Sequence, residues 1–468
     1  MKIVLKKTML CAFLFLWMGI LHAQESNVFL DRNYWKENPS IADIETKIKE
    51  GHNVAALNKH YFDAVSYALI EKVDNTTIKF LLTQKGNEVN KLTHDGRTYI
   101  FWAAYRDNLD MMEFLVSQGA KTDIIDSHGY SLLNFAAVTG QTNTKLYDFC
   151  IQHGAEVTKE KNHDGANPLL LVAPFITNYD LVDYFTAKGI DIHATDNRGN
   201  GIFNYAAKNV TIPFMDMLIK NEVAFKKVNN EGANAMIFAC QGTRGTSNSL
   251  DKFQYLEKLG IIPNISTKKG KSPLHYLAAK IKDTTVIDYF LAKGVDINLK
   301  DQDGKTALTS AISRNSSKIV DYFIQKGAKT NVIDSKGNNL AYYLFDAFSP
   351  KKTDQFDQKL KILRQNGLDI TAVQKDGNTL FHLAINKNNI ALLEKVHELG
   401  IDVNAKNKDG ITALHKAAMQ SKDDRVLKYL LSIGADKTIK TDFEESVLDL
   451  ANENELLQKN NVTLNFLK

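Results

Sequence analysis

Proline is scarce in this chain. Only 7 occur in 468 residues, which excludes Pro-rich linkers between separate domains. Cysteine is scarcer, with 3 residues, so the chain is not a disulfide-stapled scaffold. Net charge is also small: 58 basic residues face 54 acidic ones, a balance of +4. No global electrostatic pull toward nucleic acid or acidic lipid follows from it. Beyond the N-terminus there is no apolar run of the roughly 20 residues a membrane-spanning helix needs. The sequence has no H-E-x-x-H, G-x-S-x-G or C-x-x-C. What remains is 44% hydrophobic and 24% charged, the composition of a chain that can bury a core.

The N-terminus departs from this. Lys2, Lys6 and Lys7 precede an apolar run from Met9 to Leu21, and Ala23 offers a small residue before Gln24. This pattern reads as a secretory signal peptide over residues 1–23, with export to the periplasm or cell exterior as the expected address. The run is too short for an uncleaved spanning anchor. Cys11 lies within the run and not at its end, which argues against a lipid-modified cysteine. Without those residues the balance is +1, so most of the +4 belongs to the leader.

The rest of the chain is periodic. A glycine recurs in a polar turn at Gly96, Gly129, Gly165, Gly199, Gly232, Gly270, Gly304, Gly337, Gly377 and Gly410, most often 33 residues apart. Each glycine is followed by a short stretch rich in small residues, as in Ser272-Pro273-Leu274-His275-Tyr276-Leu277-Ala278-Ala279 and Thr412-Ala413-Leu414-His415-Lys416-Ala417-Ala418. Ser or Thr caps this first helix, and Pro fits its first turn. A second helix carries larger apolar residues at helical spacing, such as Ile319, Val320, Tyr322 and Phe323, and closes on Gly plus a small residue, as in Gly327-Ala328 and Gly434-Ala435. A constant period with occasional insertions predicts a repeat array.

Period and motif together resemble the ankyrin repeat over roughly 400 residues. The resemblance implies an all-α solenoid of about 11–12 repeats, degenerate caps included, in which antiparallel helix pairs stack and hairpin turns project as fingers. The leader, aromatic N-terminal segment and long array are together similar to secreted ankyrin-repeat proteins of Gram-negative Bacteroidota. The expected organisation is a leader at 1–23, an N-terminal cap at 24–57 with Phe29, Tyr34 and Trp35 over the open end, an array at 58–440, and capping helices at 441–468. Leu277 and Val172 replace the first Ala of the pair, Lys220-Asn221-Glu222 lacks the closing Gly, and Asn338–Leu344 keeps little of the motif, so irregular packing is expected there. Two insertions, 242–249 and 346–355, fall between the helices of a repeat and are expected to be surface loops.

Apparent chemistry in the sequence dissolves against the period. Gly270-Lys271-Ser272 and Gly304-Lys305-Thr306 resemble the end of a phosphate-binding loop, but Ile265 and Leu299 stand where its first glycine is required. His275, His382 and His415 occupy equivalent repeat positions. Stacked helices are spaced by about 8–10 Å, so these side chains are expected to bond neighbouring turns and not to converge on a metal. His94, His128 and His163 fall on adjacent finger tips. Cys150 and Cys240 lie three repeats apart, beyond the reach of a disulfide, and are expected to be buried fillers. No catalytic residue, metal or cofactor is expected.

The resemblance therefore implies a non-catalytic scaffold that binds a protein partner along its fingers and the concave face of its first helices, acting as a monomer and not on nucleic acid. Mapped onto the turns and the residues that follow the Ala pair, this gives Arg97, Tyr105, Arg106, Tyr130, Thr139, Arg198, Lys208, Lys271, Lys305, Arg314, Lys387, Met419 and Gln420 as candidate contacts, all expected to be exposed. Three other readings share the same sequence: an immunity or accessory factor for an envelope enzyme or toxin, an enzyme with a site assembled only on folding, and a glycan-binding envelope protein, which would show exposed aromatic stripes.

Overall fold

A computed structural model describes residues 27–468 except 245 and 375. The expected leader therefore lies outside the described residues. The fold is all-α. Twelve helix pairs follow one another between Ala64 and Lys459, and among the described residues there is no strand, only an isolated bridge between Lys440 and Ser446. The chain divides into two compact units, one of residues 1–206 with 216–223 and one of residues 207–215 with 224–468.

In the first unit the N-terminal segment packs as a cap. Helix Arg32–Lys36 lies against Ala64–Glu71, the first helix of the first pair. Phe29 and Trp35 are fully buried, and the Trp35 indole N–H donates to the Phe29 carbonyl at 3.0 Å. The helix Ile41–Lys49 starts at a Ser40/Asp43 capping box, which satisfies two orphan backbone donors. The pairs that follow alternate a small-residue helix with a bulkier one, such as Leu132–Val138 and Thr144–Gln152. Where Val172 stands in for alanine, the first helix shrinks to Pro168–Val172 and passes into a 3-10 turn, Ala173–Phe175. Glu222, in place of a closing glycine, adopts the left-handed conformation itself at φ 59°.

The second unit repeats the scheme through Ala307–Arg314 and Ser317–Gln325 to a terminal pair, Val447–Glu453 and Glu455–Lys459. Glu444, which replaces the last turn glycine, is also left-handed at φ 63°. The first helix with Leu277 is also five residues, Pro273–Leu277, but so is Ile202–Ala206, which keeps its Ala206-Ala207 pair, so the missing alanine does not by itself set the length. The weak motif at Asn338–Leu344 nevertheless builds a seven-residue helix, Leu340–Asp346, on an intact turn. The two insertions differ in kind. Among the described residues, 242–244 and 246–249 lie outside any helix, and Asn248 is buried and bonds backbone groups of Ala207, Lys208, Val210 and Ala239. Residues 346–355 are only partly a loop: after a 3-10 turn at Pro350–Lys352, Thr353 begins a 13-residue second helix, Thr353–Gln365.

A side-chain ladder ties successive second helices. Tyr184 and Lys188 both reach Asp148 in the first unit, at 2.8 and 3.0 Å. In the second unit Tyr322 and Lys326 reach Asp288, and Tyr289 and Lys293 reach Glu257. Cys150 and Cys240 are buried free thiols.

Candidate partner-binding surface

The fingers are built by one polar side chain per turn. Three residues before the turn glycine, Asp301 accepts from the amides of Asp303 and Lys305 through one carboxylate oxygen, at 3.0 and 2.9 Å. Asp126, Asp196 and Asp334 do the same with their own turns, and Asn162, Asn229 and Asn407 do it with an amide oxygen. This is the Asx-turn preference of short polar side chains. A second bond joins one finger to the next. The amide of Ser335 donates to Asp303 O at 2.8 Å, Lys408 to Asp376 O at 2.9 Å and, in the first unit, Ser127 to Asp95 O at 2.9 Å.

An aromatic strut braces some of the fingers; on others Leu171, Ser310, Leu383 or Lys416 stands in its place. Trp102 donates to Thr93 Oγ1 at 2.8 Å, Tyr205 to Asp196 Oδ2 at 2.8 Å, and Tyr343 to Asp334, in each case nine residues back in the chain. Trp102, Phe135, Tyr205 and Phe238 occupy equivalent places on the first helices and all are buried. The aromatic residues of this face therefore serve the fingers and do not form an exposed stripe.

The histidines of the first helices are struts of another kind. His275 Nδ1 accepts from the Ser272 amide at 3.1 Å, and its Nε2 faces Lys305 O at 3.1 Å. His382 accepts from the Thr379 amide and faces Ile411 O at 2.9 Å. His415 accepts from the Thr412 amide at 3.2 Å. Burial holds all three below the ordinary histidine pKa, so they are neutral. His275 and His382 bridge adjacent repeats, whereas the buried Nε2 of His415 has no hydrogen-bond partner among the described residues.

The thirteen expected contacts separate into three groups. Arg97 corrects the expectation of exposure: it is buried at 8% exposure. Its Nε donates to Asp126 at 2.7 Å, Nη1 reaches Asp95 at 3.2 Å, and the guanidinium lies 4.4 Å over the Phe135 ring. A delocalised, weakly hydrated cation suits this roofed position. Arg106, Thr139 and Lys387 are half-buried and occupied with helix ends. Arg106 bonds Ile70 O, Thr139 bonds Phe135 O, and Lys387 bonds the Asp346 carbonyl and carboxylate. The free C-terminal carbonyls of a first helix require such donors; Arg106 and Lys387 supply them from the next repeat, and Thr139 from the same helix.

The remaining residues keep accessible surface. Tyr105, Tyr130, Lys208, Lys271 and Lys305 are half-exposed. Arg106 stacks 4.9 Å from the Tyr105 ring, and Lys305 sits 5.9 Å over Tyr343. Burial pushes the Tyr130 hydroxyl above its ordinary pKa. Lys208 lies 5.7 Å over Phe238. Arg198, Arg314, Met419 and Gln420 are exposed, with Arg198 paired to Asp164 at 3.1 Å.

One set of surface residues escaped the sequence reading. Four places before the turn glycine stand Leu92 and Ile125 in the first unit, and Val228, Ile333 and Val373 in the second; each is 53% exposed or more. Lys161, Lys300 and Lys406 hold the same place elsewhere and are also exposed. Phe443, next to the left-handed Glu444, is 80% exposed. The constant offset from the glycine was the signal for the row. Apolar residues there read as core-facing until the turn geometry shows that they point out.

Comparison with known proteins agrees with this architecture. The family model described as ankyrin repeats (3 copies) matches residues 54–161, 244–334 and 352–441, more than half of the chain. The chain belongs to the ankyrin-repeat family. Among curated relatives, a phosphocholine transferase, AnkX, of Legionella pneumophila is 25% identical over 278 residues, 58% of this chain and 26% of that protein. An ankyrin repeat protein of Rickettsia felis is 25% identical over 243 residues, 52% of this chain and 59% of its own length. The human transient receptor potential cation channel subfamily A member 1 is 29% identical over 142 residues, 29% of this chain and 12% of the channel. The chain thus spans between about an eighth and three-fifths of the length of these relatives.

Proposed function

We propose that the protein is an exported, non-catalytic scaffold that holds a protein partner along its fingers and the accessible residues of its first helices. The observation that carries this reading is the exposed apolar residues four places before the turn glycine, which stand on neighbouring fingers as Leu92 and Ile125 in the first unit and as Ile333 and Val373 in the second. Isolated surface apolar residues need no explanation, but neighbouring ones on projecting elements offer a contact surface. Tyr105 with Arg106 beside it adds the residue types that dominate interface energetics. The family supports a binding role and brings no catalytic machinery of its own. Export rests on Lys2, Lys6, Lys7 and the apolar run to Leu21. The burial of Trp102, Phe135, Tyr205 and Phe238 weighs against glycan stacking.

The test is site-specific photocrosslinking in cells, with the photoreactive residue at Ile125, Val373 or, on a second helix, exposed Lys318. The reading expects one protein to be captured from the finger sites and not from Lys318. Equal capture from all three, or none from any, overturns it.

A further inference from the structure

The insertion at 346–355 forms one wall of a cleft in the second unit. It opens between the end of Ala307–Arg314 and the start of Thr353–Gln365, with a volume of about 470 Å³. Its floor is apolar, made by Ile312, Leu344, Ala347 and Phe356. Its polar side carries three cations, Arg314, Lys352 and Lys359, and no carboxylate lines it. Arg314 and Lys352 are exposed and form no ion pair among the described residues.

Lys359 is the informative member. It is 7% exposed, and one of its three N–H groups donates to Ile312 O at 2.8 Å. Burial, followed by the nearby Lys352 charge, holds its pKa below the ordinary lysine range. At two other places in this unit the same capping is done by a neutral amide: Asn315 bonds Ala278 O and Ile281 O, and Asn454 bonds Ala418 O and Ser421 O. Carbonyl capping alone therefore does not require a buried ammonium. Desolvating a charge without a counter-charge is costly, and an anion in the cleft supplies what is missing. The volume falls within the roughly 300–1,000 Å³ range of ligand pockets and far exceeds a bare inorganic ion.

We propose that this cleft binds a phosphate or sulfate monoester, with the oxyanion held by Arg314, Lys352 and Lys359 and its organic body on the Ile312, Leu344 and Phe356 floor. Arginine gives a planar fork for two oxyanion atoms, and the lysines act as point charges. The inference shares Arg314 with the partner-binding reading but does not rest on it, because it concerns a small ligand and is tested on the purified chain without a partner.

The test is calorimetric titration of the purified chain with phenyl phosphate, phenyl sulfate, inorganic phosphate and benzyl alcohol. Binding of either ester, at least about tenfold tighter than of inorganic phosphate or the alcohol, is the expected result. The double variant Arg314→Gln/Lys352→Gln, at exposed positions, is expected to weaken ester binding about tenfold or more with an unchanged melting temperature. Lys359→Met is expected to abolish it, and the double variant keeps the test decisive if Lys359→Met does not fold. Absence of ester binding overturns the proposal. So does inorganic phosphate binding as tightly as the esters, or ester binding untouched by the double variant.

Discussion

Asp303 gives its carbonyl oxygen to the amide of Ser335, one repeat further on, at 2.8 Å, and Gly304 lies directly beneath that bond. A Cβ on Gly304 would stand 2.7 Å from the Ser335 amide nitrogen and 3.0 Å from the Asp334 backbone. Its φ of +75° independently disfavours any L side chain. Gly304→Val is therefore expected to cost more than the roughly 1–3 kcal/mol of left-handed strain alone, because it also breaks the link between fingers. Lys305→Ala, next door, removes an exposed pair with Asp303 and a half-exposed contact over the Tyr343 ring, and is expected to change stability by about 1 kcal/mol or less. Thermal melts of the two variants decide this, and similar small shifts for both count against it.

Arg97 is a stability residue, contrary to its surface-contact pattern in the sequence. Its partner Asp126 is fully buried at the side chain and also anchors the turn amides of His128 and Tyr130. Arg97→Ala leaves that carboxylate buried without its cation. A loss of about 3 kcal/mol is expected, the lower end for breaking a buried pair, because the two amides still solvate the anion. Arg97→Lys is expected to recover only part of this, since it restores the charge but not the two-carboxylate fork or the stacking over Phe135. Urea denaturation at neutral pH measures both.

The fold was legible because the repeat states it ten times. Turn glycine, capping residue, small first helix and bulky second helix agree with one another at most repetitions, and single departures such as Val172, Glu222 or the Asn167, Asn234 and Asn339 caps could not hide the period. The surface was less legible, for a physical reason. In a stacked array a side chain's surroundings come from the next repeat, about 33 residues away. Arg97 is covered because Asp126 and Phe135 arrive from that neighbour, and Lys387 caps a carbonyl of the repeat before it. Local pattern reports which helix face a residue occupies. It does not report whether the adjoining tile leaves a carbonyl or a carboxylate there to claim a cation.

Neutral histidines in the core give the array a pH limit. Burial depresses the folded pKa of His275, His382 and His415 below the ordinary histidine value of 6.5. Below pH 6.5 the unfolded chain then binds more protons than the folded one, so stability present above that pH is lost as pH falls toward the folded values. Urea midpoints are expected to drop between pH 7.5 and pH 5.5. His382→Gln is expected to be less stable than the parent at pH 7.5 and to lose less on acidification, because it removes one of the three groups. A parent midpoint that is flat or rising over this range contradicts the neutral, hydrogen-bonded assignment.

The exposed finger row makes the opposite kind of prediction, a loss of binding without a loss of fold. Ile125 and Ile333 are 58% and 55% exposed. Neither helps fill the core, so Ile125→Asp and Ile333→Asp are each expected to shift stability by about 0.5 kcal/mol or less. Each should nevertheless remove apolar contact area from a partner and place a desolvated carboxylate against it, a repulsive element that discriminates strongly. Yield of the crosslinked complex from a photoreactive residue at Val373 is expected to fall for Ile333→Asp, one repeat away. Lys318→Asp, on the second-helix face, is expected to leave it unchanged. If the two substitutions lower the yield equally, the effect is one of net charge, and the apolar row is not the contact.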